Sequence, residues 1–169
     1  MKITLLAICL VWGINALAQT DTVPKKLPPF MQLPEVPSYK LLKMDSSTFT
    51  YKYQLKKNMP VVVIWFNPDC EHCQQETRRI TDSMHLLKNV QLVFASYSKF
   101  EEMKQFYEEY GLNKYKNIIY GRDVQYQLPR FFEVKYTPYV AVYGKDWKLL
   151  RVFEGGATVA RLAGLLNNE

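Results

Sequence analysis

"VVVIWFNPDCEHCQQE", Val61 to Glu76, changes character in mid-run. Val61 to Phe66 is a continuous apolar, β-branched run, the pattern of a central strand buried on both faces. Asn67 and Pro68 shape a turn. From Glu71 the pattern predicts a helix reaching Leu87. Ile80, Met84 and Leu87 recur at helical spacing, while Arg78 and Arg79 fall elsewhere on the wheel. Asp69 is the expected N-cap. Cys70 and Cys73 therefore sit at a strand-to-helix junction, with Glu71 and His72 between them.

That position carries chemistry. The free N–H groups and dipole of a helix start favour a negative charge. A thiolate there has its pKa lowered from about 8.5 into a range of roughly 3.5–7.5. Cys70 is expected to be the exposed, attacking thiol, and Cys73, one turn further in, the buried resolving thiol. A protonated His72 would stabilise the Cys70 thiolate. By position alone it is equally a polar loop residue. Glu76 lies one turn beyond Cys73, either as a partly buried carboxylate that accepts the Cys73 proton or as a solvated helix residue.

The rest of the chain narrows the reading. Residues 1–18 carry a charged Lys2, an apolar stretch from Ile3 to Trp12 and an Ala16-Leu17-Ala18 site, the pattern of an export signal cleaved after Ala18. A retained membrane anchor is the alternative. The apolar run is short for a span and Asn15 interrupts it. Cys9 leaves with this segment, so Cys70 and Cys73 are the thiols of the mature chain, in a compartment where disulfides form. A disulfide across so small a loop would stabilise little through chain entropy. Residues 19–38 hold Pro24, Pro28, Pro29, Pro34 and Pro37 and are expected to form an extended lead-in. Residues 39–169 form the folded domain. The 169 residues carry a formal net charge of +6 without a run of Lys and Arg. That balance suits solubility and weak attraction to anionic surfaces, and no nucleic-acid binding.

Short strands are expected at Tyr39 to Met44 and Thr48 to Tyr51 around "DSS", and a buried strand at Val90 to Tyr97. Ser98 is expected to cap a helix ending at Gly111. "NIIYG" suits a short strand and Val124 to Phe132 a short helix around Pro129. Pro138 to Tyr143 and Lys148 to Gly155 read as a hairpin pair, and Thr158 to Leu166 as a closing helix. The order is that of an α/β sandwich with a mixed sheet. Pro138, opening an apolar strand after Thr137, is unusual. Base rates alone favour a trans bond there.

A buried strand ending in an aromatic, then Cys-x-x-Cys at a helix start, then Thr137-Pro138 opening a later strand: this resembles the thioredoxin fold. Within it the chain is similar to the exported TlpA/ResA-like thiol-disulfide oxidoreductases, in the wider redoxin group. The likeness rests on the signal, the N-terminal hairpin, a stretch from Cys73 to Pro138 long enough for an extra strand and helix, and "CEHCQQE". It covers roughly Tyr39 to Leu166. It implies a cis Thr137–Pro138 bond facing the cysteines, a redox disulfide between Cys70 and Cys73, and a proton-handling role for Glu76. Asp69 stands where the family usually has Trp, and opposes a thiolate. His72 replaces the family's Pro, as in more oxidising relatives. Ile64 stands where plain thioredoxin keeps a buried acid.

Other chemistries fit less well. A zinc site needs four ligands, and His85 lies too far along the predicted helix to join the cysteines. Haem attachment needs His where Gln74 stands. A peroxiredoxin-like peroxidase is the nearest rival, because of "NPDC", but such enzymes place Thr shortly before the reactive Cys. A copper chaperone of the related type would carry Cys-x3-Cys. A non-catalytic exported binding module is the remaining alternative. The resemblance implies no metal or organic cofactor. It implies protein thiols and disulfides as partners, apocytochrome c among them, and a membrane thiol donor of electrons. Thr137 and Pro138 are expected to line the substrate groove.

Overall fold

The computed structural model describes residues 26–167. The signal expected over 1–18, its cleavage after Ala18, and the lead-in as far as residue 25 lie outside the described residues. In chain order the elements are α1 (Pro29–Gln32), β1 (Lys40–Leu42), β2 (Phe49–Tyr51), β3 (Val61–Trp65), α2 (Glu71–Asp82), β4 (Gln91–Ser96), α3 (Phe100–Glu109), β5 (Ile118–Arg122), α4 (Gln127–Phe132), β6 (Tyr139–Tyr143), β7 (Leu149–Glu154) and α5 (Val159–Leu166).

The strands form one mixed sheet in the order β2-β1-β5-β4-β3-β6-β7. β3, β4 and β5 run parallel at its centre. The expected hairpins lie at its two ends: β1–β2 joins β5 antiparallel, and β6–β7 joins β3 antiparallel. All five residues of β3 are buried, because helices cover both faces. Alternation sorts its side chains. Val62 and Ile64 pack with Cys73 and Ile80 of α2, Met103 and Phe106 of α3, and Leu162 of α5. Val61, Val63 and Trp65 pack on the other face with Phe30 of α1 and Leu128 and Phe132 of α4.

Gly121 on β5 permits the β1 hairpin to join. A Cβ there would stand 2.7 Å from Leu41 Cβ and 2.9 Å from the Leu42 carbonyl oxygen. Among the described residues no helix is long and apolar enough to cross a membrane.

Three expectations need correction. The lead-in is not simply extended: Pro29 begins a helical turn, a position that suits proline, and Phe30 packs on Phe132 with ring centroids 6.2 Å apart. Val36 and Tyr39 are buried after it. The helix expected to Leu87 ends at Asp82, and Met84–Leu86 continues as a 3₁₀ turn. Residues three apart lie on one side of such a turn, so Met84 and Leu87 stay buried and the apolar spacing outlasts the α-helix. His85 is exposed on that turn. Ser98 does not cap α3. Its hydroxyl meets Ser96 Oγ at 3.1 Å, and Glu102 Oε2 instead accepts the Lys99 N–H.

Candidate active site

Chain direction sets the site. β3 delivers Trp65 and Phe66 into the core, and the chain turns at Asn67, whose Oδ1 accepts the Asp69 N–H at 3.0 Å. The Asn67 carbonyl accepts the Cys70 N–H at 3.1 Å. These bonds close the turn and start α2 at Glu71. The N-cap is Cys70, not Asp69: Cys70 Sγ accepts the Cys73 N–H at 3.3 Å. Asp69 is exposed, its backbone already engaged by Asn67.

The two thiols differ sharply. Cys70 is partly exposed and Cys73 is buried. Burial works against a Cys70 thiolate, yet hydrogen bonds from the Cys73 thiol and N–H, the Thr137 side chain and the His72 N–H outweigh it, and its pKa is lowered. Burial pushes the Cys73 thiol up to about 12, and the neighbouring Cys70 adds to the rise. His72 thus reaches Cys70 through its backbone, while its side chain is exposed.

The distant residues converge as well. The Thr137–Pro138 bond is cis, and the Thr137 carbonyl lies 3.7 Å from Cys70 Sγ, accepting from the thiol. Glu76 is only 3% exposed, so it is not the solvated helix residue its spacing also allowed. Its Oε1 accepts the Ala157 N–H at 2.9 Å. Burial raises its pKa, against the pull of that bond and of Arg79. Ile64 lies in the same apolar layer as Cys73, so Glu76 brings a carboxylate to a layer where the strand supplies none. Trp65, Phe66 and Tyr139 are buried and serve the packing.

One participant escaped the sequence reading. Gly156 has φ +101°, and a Cβ on it would stand 3.1 Å from Glu76 Oε2 and 3.2 Å from Pro138 Cγ. The glycine therefore lets the loop after β7 lie against the carboxylate and the cis-proline together. The pair Gly155-Gly156 at a strand end was the available signal.

The arrangement is a lowered, accessible thiol beside a raised, buried one, over a buried acid and against a cis-proline. The sequence model of a family described as thioredoxin-like matches residues 58–149, more than half the chain. The chain belongs to the thioredoxin-like family. Solved structures share the fold. A secreted Mycobacterium tuberculosis disulfide oxidoreductase homologous to E. coli DsbE superposes with TM-score 0.64 at 16% identity, over 78% of this chain and 96% of the other. M. tuberculosis DsbF, in mixed oxidized and reduced forms, gives 0.65 at 17% identity, over 85% and 98%. The peroxidoxin BcpB of the same organism gives 0.65 at 17%, over 79% and 94%. No curated protein matches the chain. A redox role accords with this family, and the identities establish the shared fold rather than a shared substrate.

Proposed function

We propose that this thioredoxin-like chain is an exported thiol-disulfide oxidoreductase of the TlpA/ResA-like kind, working in the periplasm or cell envelope. The observation that carries the reading is a partly exposed Cys70 whose sulfur caps α2 beside the buried Cys73, against the Thr137 carbonyl and with Glu76 buried one turn on.

The Cys70 thiolate attacks one sulfur of a substrate disulfide. A Cys70–substrate S–S bond forms as the substrate bond breaks, and the departing thiolate takes a proton from water. Cys73, a thiol at neutral pH, gives its proton to ionised Glu76 and attacks Cys70 Sγ. The Cys70–Cys73 disulfide forms as the Cys70–substrate bond breaks, the second substrate sulfur leaves as a thiolate that takes a proton from water, and two electrons have passed to the substrate. Run backwards, the same steps oxidise a dithiol. Thr137 and Pro138 line the groove for the substrate chain. The His72 N–H favours the Cys70 thiolate, and the exposed side chains of His72 and Asp69 flank the pair as its tuning groups. The exchange needs no metal or organic cofactor.

Exported proteins with exposed disulfides, apocytochrome c among them, are the fitting partners, with a membrane thiol carrier restoring electrons. Titration against a glutathione buffer tests the couple. A potential near about −120 mV makes the protein an oxidant, and one near about −270 mV a reductant. Unchanged disulfide turnover by a Cys70→Ser variant would sink the proposal. Faster reaction with hydrogen peroxide than with disulfides would put the peroxidase reading in its place.

A further inference from the structure

The parallel centre of the sheet gives the molecule two poles. The cysteine pair follows β3, at the end where the parallel strands finish. The opposite pole consists of the segments that enter those strands. Lys56 and Lys57 precede β3, Lys88 precedes β4, and Lys114 and Lys116 precede β5. All five are exposed. The ion pairs among the described residues, Lys99 with Glu102 and Lys148 with Glu35, use none of them. In the sequence these lysines are spread over some sixty positions. The strand order β5-β4-β3 brings their segments side by side, at strand spacings of about 4.8 Å.

Between them opens a cleft of about 420 Å³. Lys56, Lys88, Lys114 and Lys116 line it together with Met59, Met84 and several amide side chains, and no carboxylate contributes. Leu86, on the 3₁₀ turn between the cleft residues Met84 and Lys88, is 52% exposed. Lysines without acidic partners call for a polyanion. An exposed leucine two residues before Lys88 suits a surface with an apolar layer beneath its charges, since lysine stems and a leucine enter the headgroup region together.

We propose that this pole docks on an anionic phospholipid surface. Bound this way, the domain turns its cysteine pair away from the bilayer, about the length of a β-strand and its turn above the lysines. The inference rests on the lysine pole and is independent of the redox reading.

The test is co-sedimentation of the chain from Gln19 onward, which keeps every described element and both core layers, with lipid vesicles. Pelleting is expected with vesicles of equal parts phosphatidylglycerol and phosphatidylcholine, and not with phosphatidylcholine alone. It should fall steeply with added salt. Each lysine removed in the series Lys56→Gln, Lys88→Gln, Lys114→Gln, Lys116→Gln should weaken binding about fivefold. Leu86→Ser should weaken it further with the same salt dependence. Absent binding, equal binding to neutral vesicles, or a quadruple variant that binds like its parent overturns the proposal. So does complete displacement by inorganic phosphate at matched ionic strength, which marks a free-anion site. Retention on immobilised polyglutamate without vesicle binding also overturns it, in favour of an acidic protein. Unchanged thiol titration in the quadruple variant verifies that it is folded.

Discussion

The two poles of the sheet use charge in opposite ways. At the cysteine pole the ionisable groups are few, held by hydrogen bonds and displaced from their ordinary pKa values: Cys70 down, Cys73 and Glu76 up. At the lysine pole they are many and solvated, with no acid in the cleft between them. Burial makes a single proton consequential at the first pole. At the second, each charge is screened and acts only in company. Chemistry therefore belongs where the chain is driest, and long-range attraction where it is wettest.

The largest test of that contrast is removal of the nucleophile. Cys70→Ser is expected to lower disulfide turnover about a thousandfold or more, measured with a small disulfide or an insulin-type protein substrate. Cys73→Ser should instead trap the mixed disulfide, visible as a stable mass adduct. Alkylation adds a pH signature. Cys70 should react with iodoacetamide at a midpoint below that of an ordinary thiol, and Cys73 only in strong alkali.

Next is the buried acid. Glu76→Gln keeps an acceptor for the Ala157 N–H but no longer takes a proton, and should slow exchange near neutrality by about a hundredfold. A pH–rate profile identical to the parent's would return Glu76 to a purely structural role. Stability should move the other way. Folding raises the Glu76 pKa above its ordinary 4.5, so the folded chain holds that proton more tightly than the unfolded chain. Its burial costs nothing in acid and destabilises as the pH rises from the ordinary value through the raised one. The Gln variant should therefore melt at a higher temperature near neutrality, with the gain vanishing below about pH 4.

Gly156→Ala is a smaller, mixed perturbation. It places an L side chain at φ +101° against Glu76 and Pro138, and should cost about 1–3 kcal/mol of stability in denaturant titration. Exchange should slow with it, because the carboxylate must move. The smallest expected effect is at the far pole. The quadruple lysine variant should keep its turnover of a soluble disulfide within about twofold, and a larger change would show that the poles are coupled.

How much could be read in advance differs between the poles for a physical reason. Trp65 to Glu76 is one continuous stretch whose hydrophobic run, turn residues and cysteine spacing each report on local backbone. The strand, the helix start and the thiol pair were therefore legible. The cis bond at Pro138 came only with the family likeness, since local base rates favour trans. The burial of Glu76 was undecided because it depends on Gly156 and Ala157, which arrive after β7. The Asp69 cap failed because the turn closed by Asn67 starts α2 one residue later, so that the Cys70 sulfur, not a carboxylate, accepts the N–H of its third residue, Cys73. Proline content suggested an extended lead-in, but Phe30 found an aromatic partner more than a hundred residues away. The lysine pole was invisible for the same reason. No local run announces it, and parallel crossover connections alone return Lys56, Lys88 and Lys114 to one end.

The cap of α2 has a consequence for dynamics. The sulfur that accepts the Cys73 N–H is also the atom whose charge would change in the proposed exchange. As a thiolate it is a charge-assisted acceptor, and as part of a disulfide it is a weak neutral one. Oxidation is therefore expected to loosen the first turn of the helix, with Thr77 and Ile80 still packed below. Amide-hydrogen exchange at His72 and Cys73 should run faster in the oxidised protein than in the reduced one. On the proposed exchange, the redox state of the pair would be legible to a partner as the firmness of a single helical turn.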